Sequence, residues 1–270
     1  MNQFQRVIKY LAIAFAVFLI FTIISSIIFG ISFVTGLFYE DDFIMSNMKA
    51  TTITTEISDL DIKIAGTSLT VNSGDEFNIE TNNKYIEIKE SKNKLIIKEK
   101  KHFWFSNQIN NSQLIITIPD SVILKEISLE AGAGMIEIDS LSTDKLDFDL
   151  GAGKVNIQNL LVQKEADIDS GAGELTINKS TLTDLELDMG VGKVEISSSI
   201  LGNSEINAGV GELEINLSGN EEDYKINIEK GIGNAKINNE NINSNTTYGA
   251  GTNRLDIDGG VGNISVNFSY

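Results

Sequence analysis

The 270-residue chain has no cysteine, one proline (Pro119), one histidine (His102), one tryptophan (Trp104) and only two arginines, Arg6 and Arg254. Without cysteine there is no disulfide framework, no thiolate metal site and no cysteine nucleophile. Stability must then come from packing and backbone pairing. Two arginines and one histidine leave little with which to stabilise an oxyanion or a phosphate. The scarcity of proline, set beside heavy use of Ile, Thr and Val, points to a chain made largely of strands. Positive charge is also short: 21 Lys plus Arg stand against 38 Asp plus Glu, for a net charge of −17. Only Arg6 and Lys9 precede Glu40, so from Glu40 onward all 38 acids face the remaining 19 bases. Such a surface repels phosphate backbones and anionic headgroups, which argues against nucleic acid as a partner and favours cations or basic partners.

One long hydrophobic run is present. From Leu11 to Phe38 no residue is charged and Ile, Phe, Leu, Val and Ala dominate. That is longer than the roughly 20 residues a helix needs to cross the hydrocarbon core. A cleaved signal peptide is the alternative, but its apolar region is about 7 to 15 residues and ends at a small-x-small site, and no convincing site follows here. The run predicts a retained transmembrane helix. Arg6 and Lys9 before it, and Glu40, Asp41 and Asp42 after it, place the N-terminus in the cytoplasm and everything beyond outside.

The strongest internal signal is a repeat. Gly-x-Gly recurs at Gly132/Gly134, Gly151/Gly153, Gly171/Gly173, Gly190/Gly192, Gly209/Gly211, Gly231/Gly233 and Gly260/Gly262. Successive intervals are 19, 20, 19, 19, 22 and 29 residues, the last lengthened by about ten residues around Asn241 to Gly251. Three residues before each pair stands an apolar column: Leu129, Phe148, Ile168, Leu187, Ile206, Ile228 and Ile257. Four and six residues after the first glycine stand two more, opening with Ile136, Val155 and Leu175 and with Ile138, Ile157 and Ile177. Polar residues lie between them, the period of two of a strand with one buried face. The alternation continues through the first glycine and the residue between the pair, then slips by one after the second. That slip marks a bend or bulge, where glycine accepts positive φ or lets neighbouring backbones approach.

Each unit is thus two short strands meeting at a corner, and stacking the units buries one continuous core. The predicted fold is all-β: a β-solenoid, or parallel β-helix, of about 19-20-residue Gly-x-Gly repeats preceded by one N-terminal transmembrane helix. The position after the second glycine reads Met135, Lys154, Glu174, Lys193, Glu212. In parallel coils these would form a ladder of alternating charge about 4.8 Å apart. An antiparallel meander or sandwich fits the same binary pattern. The expected organisation is a cytoplasmic N-terminus over 1-10, the membrane helix over 11-38, a linker over 39-49, irregular N-terminal β coils acting as a cap over 50-130, and regular repeats over 131-270. Phe268 and Tyr270 are expected to cover the last coil.

The segment LIITIPDSVILKEISLEAGAG from Leu114 to Gly134, followed by units such as LDFDLGAGKVNI, resembles the bacterial "putative adhesin" family of β-strand-repeat proteins. The likeness covers roughly Ala50 to Tyr270. Some members of that family are membrane-anchored proteins encoded with envelope-stress systems in Gram-positive bacteria, which is the context the resemblance implies, and it supplies no catalytic motif.

Several surface features are candidates for function. Acids fall two residues before each glycine pair (Glu130, Asp149, Asp169, Asp188, Glu229, Asp258, with Asn207 interrupting) and in a second row two residues earlier (Asp147, Asp167, Glu186, Glu205, Asp256). In parallel coils they make two carboxylate files, read either as a solvated acidic face or as calcium ligands. The calcium-binding nonapeptide repeat places its Asp after the glycines, unlike this one. Phe103, Trp104 and Phe105, beside His102, form the one dense aromatic cluster, either a contact tip or a cover for the core edge. Glycan hydrolysis needs paired carboxylates in a groove, and long groove-building loops are missing apart from the insert near Asn241. The Gly-x-Gly pairs lack the strand-to-helix setting of a nucleotide fingerprint, so no cofactor is expected. The reading is therefore a non-enzymatic interaction or structural module of the bacterial cell envelope, with a membrane protein of a stress-response system or a wall component as partner.

Overall fold

The computed structural model describes residues 48-100, 112-243 and 245-269. The expected membrane helix over 11-38 lies outside them, as do Phe103, Trp104, Phe105 and Tyr270. Among the described residues no helix is long and apolar enough to cross a membrane. Residues 44-270 form a compact unit with its own core.

In chain order the strands are β1 (Lys49–Thr52), β2 (Asp59–Ile64), β3 (Ser68–Gly74), β4 (Asn78–Thr81), β5 (Ile86–Ser91), β6 (Lys94–Glu99), β7 (Gln113–Pro119), β8 (Leu124–Ile138), β9 (Leu141–Gln158), β10 (Leu160–Thr183), β11 (Leu185–Leu201), β12 (Asn203–Ser218), β13 (Tyr224–Glu229), β14 (Ile232–Ile237), β15 (Glu240–Asn241), β16 (Thr246–Gly249) and β17 (Asn253–Ser269). From β8 to β12 each long strand bends around the glycine pair and lies parallel to its chain neighbour, in register through both arms, so that Leu129 faces Phe148, Phe148 faces Ile168 and Leu187 faces Ile206. This is a parallel β-solenoid, and the antiparallel alternative is set aside. The three apolar columns are buried, Phe148, Ile168, Ile157 and Ile177 being at most 1% exposed. Each column removes a ladder of apolar side chains from water, at roughly 1.5 to 3 kcal/mol per fully buried residue.

The coils do not stack in chain order at either end. β17 pairs with β12 along its whole length and with β13 and β14 on its other edge, so the last segment of the chain is the penultimate layer. Gly260/Gly262 therefore lies between Gly209/Gly211 and Gly231/Gly233, not beyond them. The chain reaches this slot through the excursion that carries β15 and β16, passing Asp223 where a Cβ on Gly251 would stand 2.0 Å from the Asp223 carbonyl carbon. At the other end β2 and β3 form a coil between β8 on one side and β6 and β7 on the other. Placing β17 and the β2–β3 coil inward leaves short, broken strands outermost, and antiparallel partners cover these: β5 on β6, β4 on β7 with β1 on β4 in turn, β16 on β13, and a two-residue contact of β15 on β14. Short covered edges resist pairing with other chains. Phe268, expected over the last coil, sits instead in this inner layer, with ring centroids 5.7 Å from Tyr224 and 6.4 Å from Tyr248.

Where the ladder is interrupted at a bulge or has yet to begin, buried serines complete it. The Leu160 N–H donates to Ser180 Oγ (3.0 Å), that of Ser180 to Ser198 Oγ (3.1 Å) and that of Leu185 to Ser204 Oγ (3.0 Å). A buried N–H left without an acceptor would cost about 1 to 3 kcal/mol. These hydroxyls are therefore structural.

Candidate interaction surface

The glycine corner is built by close backbone approach. A Cβ on Gly190 would lie 2.0 Å from the carbonyl oxygen of Gly171, and one on Gly192, where φ is +141°, 1.9 Å from that of Gly173. No side chain fits, and equivalent contacts recur in each coil from β9 onward. The residue between the glycines is thereby turned outward. Continuing the strand alternation through the corner would put it inside; the bend reverses it, because the arc from the first glycine to the residue after the second faces solvent.

The result is an outward ladder in stack order Ala133, Ala152, Ala172, Val191, Val210, Val261, Ile232. Val191 is 38% exposed, Val210 and Val261 are each 47% exposed, and Ile232 reaches 75%. Beside it, Met135, Lys154, Glu174, Lys193 and Glu212 stand in register as the sequence predicts. Lys154 bridges Glu174 at 3.1 Å, whereas Lys193 turns to Glu195 (3.1 Å) and Glu214 (3.6 Å) in the next column.

A family model matches residues 43–261, described as Toastrack DUF4097. The chain belongs to the Toastrack DUF4097 family. Among solved structures, the Toastrack unit is similar to a candidate adhesin of Bacteroides fragilis at 18% identity and a TM-score of 0.44, covering 81% of this chain and 95% of that one. A candidate cell-adhesion protein of Clostridium sporogenes gives 13% identity and a TM-score of 0.36, covering 82% and 99%. No curated protein matches.

On the arm before the Toastrack corner the two carboxylate files are in register. Asp149, Asp169 and Asp188 occupy adjacent coils, and Asp147, Asp167, Glu186 and Glu205 run beside them. Their ends are neutralised and their middle is not. Lys63 meets Glu130 (2.6 Å) and Lys94 meets Asp61 (3.3 Å) at one end; Arg254 meets Asp256 (2.7 Å) at the other. Between them, partial burial and then the charges of Glu186, Asp169, Asp147 and Asp188 raise the Asp167 carboxyl above its ordinary range. Asp169 is raised in the same way, by burial and then by Asp188, Asp149 and Asp147. For Asp256 burial pushes upward, but hydrogen bonds from Arg254 and Asn227 and the charges of Arg254 and Lys225 outweigh it and lower the carboxyl. Among the described residues no group of three or more Asp, Glu or His is arranged to hold a metal ion.

The corner of the β2–β3 coil carries no glycine pair and falls in the segment 50-130 expected as irregular cap coils. Ala65, Gly66 and Thr67 fill it, and Glu99 stands in for the missing neighbouring corner, accepting from the N–H groups of Ala65 (2.7 Å) and Gly66 (3.2 Å) and from Asn83 Nδ2 (3.0 Å). Asn83 also donates to Thr67 Oγ1 at 2.8 Å. The signal was present in the columns: Ile62, Leu69 and Val71 occupy the same three inward positions as Leu129, Ile136 and Ile138.

Proposed function

We propose that this Toastrack protein is a non-catalytic, membrane-anchored module of the bacterial cell envelope, held by the helix predicted over 11-38, with residues 44-270 outside the membrane. In this role it presents the repeat surface to an envelope partner, either a membrane protein of a stress-response system or a wall component. The observation that carries the reading is the outward ladder ending in Val191, Val210, Val261 and Ile232, large apolar side chains standing in a row on the surface. Rows of exposed apolar side chains mark interaction sites more often than isolated ones do. The family membership and the acidic files support the same reading. Calcium-stabilised adhesion and glycan hydrolysis find no comparable support in the geometry.

The test has two parts. In intact cells an added protease should remove a C-terminal epitope while a carbonate wash leaves the anchor in the membrane. Cross-linking in the native envelope should then recover the same partner reproducibly. A chain released by the wash, or cross-linking that recovers nothing above a tag control, contradicts the proposal.

A further inference from the structure

The outward ladder contains its own control. Ala133, Ala152 and Ala172 hold the same position, between the same two glycines and in the same register, as Val191, Val210, Val261 and Ile232. Alanine therefore satisfies the corner, and nothing in its backbone geometry calls for a larger side chain in the last four layers. Leaving β-branched side chains in water there is unexplained by the fold. Cross-strand packing among them contributes about 0.2 to 1 kcal/mol per pair, yet the three alanine layers stack without it. The four large rungs span three strand spacings, roughly 14 Å, about the length of a ten-residue helix. Among the described residues the apolar row is also not blocked at its end: β15 and Ile242 pair with Ala235, Lys236 and Ile237, and none pairs with the outer strand edge at Ile232.

Charge says what kind of partner fits. Asp188, Asp258 and Glu229 border these rungs on one side and Glu212 on the other; all four are exposed and none forms a salt bridge among the described residues, and against them stands Lys230, half-buried beside Ile232. Lys193, the cation closest in register to Glu212, is taken up by Glu195 and Glu214. We infer that the corner of β11, β12, β17 and β14 is a docking strip for a helical segment of a partner protein with an apolar stripe flanked by lysine or arginine. Its stripe lies along Val191, Val210, Val261 and Ile232, and its basic flanks meet the carboxylates on either side. An apolar face laid into an exposed apolar strip is a recurring recognition mode, and the flanking charges set orientation and association rate more than affinity.

This inference names the chemistry of the partner proposed above and rests on that proposal, but the two fail separately. If the native partner is recovered equally by wild type and by a V191A/V210A/V261A/I232A variant, the module stands and the strip falls. The direct test titrates residues 44-270 with two 18-residue helical peptides at physiological salt, followed by fluorescence anisotropy. One is built of leucine and lysine with a single apolar stripe, the other of leucine and glutamate. The lysine peptide should bind and the glutamate peptide should not. The alanine variant and a D188N/D258N/E229Q/E212Q variant should each weaken binding at least tenfold without loss of the cooperative melt. Val210→Thr and Ile232→Thr, which keep the branched shape, serve the same comparison if the fourfold variant loses its fold. Undiminished binding by the alanine or threonine variants, equal binding of both peptides, or no binding of the lysine peptide would overturn the inference.

Discussion

Between β8 and β12 every coil follows its chain neighbour and repeats one corner, whereas at both ends the layers leave chain order and antiparallel strands cover them; the glycine corner runs on through β17 to β14 at one end, and at the other it gives way to side chains. The middle is held by sameness. One backbone approach, repeated, forbids a Cβ at both glycines and keeps three apolar columns in line. The ends are held by particular residues: Glu99 and Asn83 on one side, Tyr224, Tyr248 and Phe268 on the other. The difference teaches that a repeat can be extended by copying, but it can be terminated only by residues that break the pattern.

The largest expected effect comes from cutting where chain end and stack end disagree. Deleting 253-270 removes an interior layer with buried Leu255, Ile257, Ile264 and Val266. At about 1.5 to 3 kcal/mol each, their loss rivals the whole stability of roughly 5 to 15 kcal/mol expected of a domain. The truncated protein should show no cooperative urea transition; a stack built in chain order would merely lose one end coil.

Next comes the same substitution placed inside the run of glycine corners and at its first member, which packs on the glycine-pair-free β2–β3 coil. Gly192→Ala puts a Cβ 1.9 Å from a backbone oxygen, while Gly134→Ala, with φ at +136°, has 3.7 Å to its nearest neighbour, Thr67 O. The first should cost about 4 kcal/mol or more, within the exceptional range reserved for steric failure. The second carries the backbone strain alone, about 1 to 3 kcal/mol. Equal losses in urea melts would show that the corners are equivalent and the comparison empty. Smaller again is Glu99→Ala, which strips three donors of their acceptor at a partly exposed corner. It should cost about 1 to 2 kcal/mol, and thermal melts with Asn83→Ala and the double variant should reveal coupling between the two.

The smallest effect is electrostatic and belongs to the middle. Asp167 and Asp169 are raised above the ordinary value of 3.8 in the folded state. As pH falls through their folded pKa toward 3.8, the folded chain takes up protons that the unfolded chain does not yet bind, so stability rises across that window. Below 3.8 both states are protonated and the gain is complete. The lowered Asp256 acts oppositely, its contribution being present above 3.8 and lost as pH falls through its folded pKa. Wild type should therefore gain stability on mild acidification relative to a D167N/D169N variant, and parallel pH profiles for the two would remove the files from the account.

The solenoid was legible in the sequence because the glycine pairs and apolar columns encode register. The layer order was not, because all seven repeats carry the same columns and any of them fits beside any other; only the 29-residue interval before Gly260 hinted at a detour. The outward turn of Val191, Val210 and Ile232 was hidden for another reason. A strict period of two assumes a straight strand, and the bend at the glycines breaks it. The β2–β3 coil was legible only as part of the irregular cap over 50-130, because its corner lacks the glycine pair although Ile62, Leu69 and Val71 keep the columns. The acidic files were placed from spacing alone, while their neutralisation at one end depends on Lys63 and Lys94, which only the layer order brings beside Glu130 and Asp61; Arg254 meets Asp256 within its own strand.

The layer order itself can be read with two engineered cysteine pairs, since the natural chain offers no competing thiol. Asn207 faces Asp258 in the adjacent layer, and Glu229 lies one layer beyond, facing Asp258 from the other side. Adjacent strands bring Cα atoms within disulfide range, and next-nearest ones do not. Under mild oxidation N207C/D258C should close an intramolecular disulfide in the folded protein, and N207C/E229C should stay reduced. The reverse pattern would mean that the coils stack in chain order, and would contradict the inward placement of β17 on which this account of the ends depends.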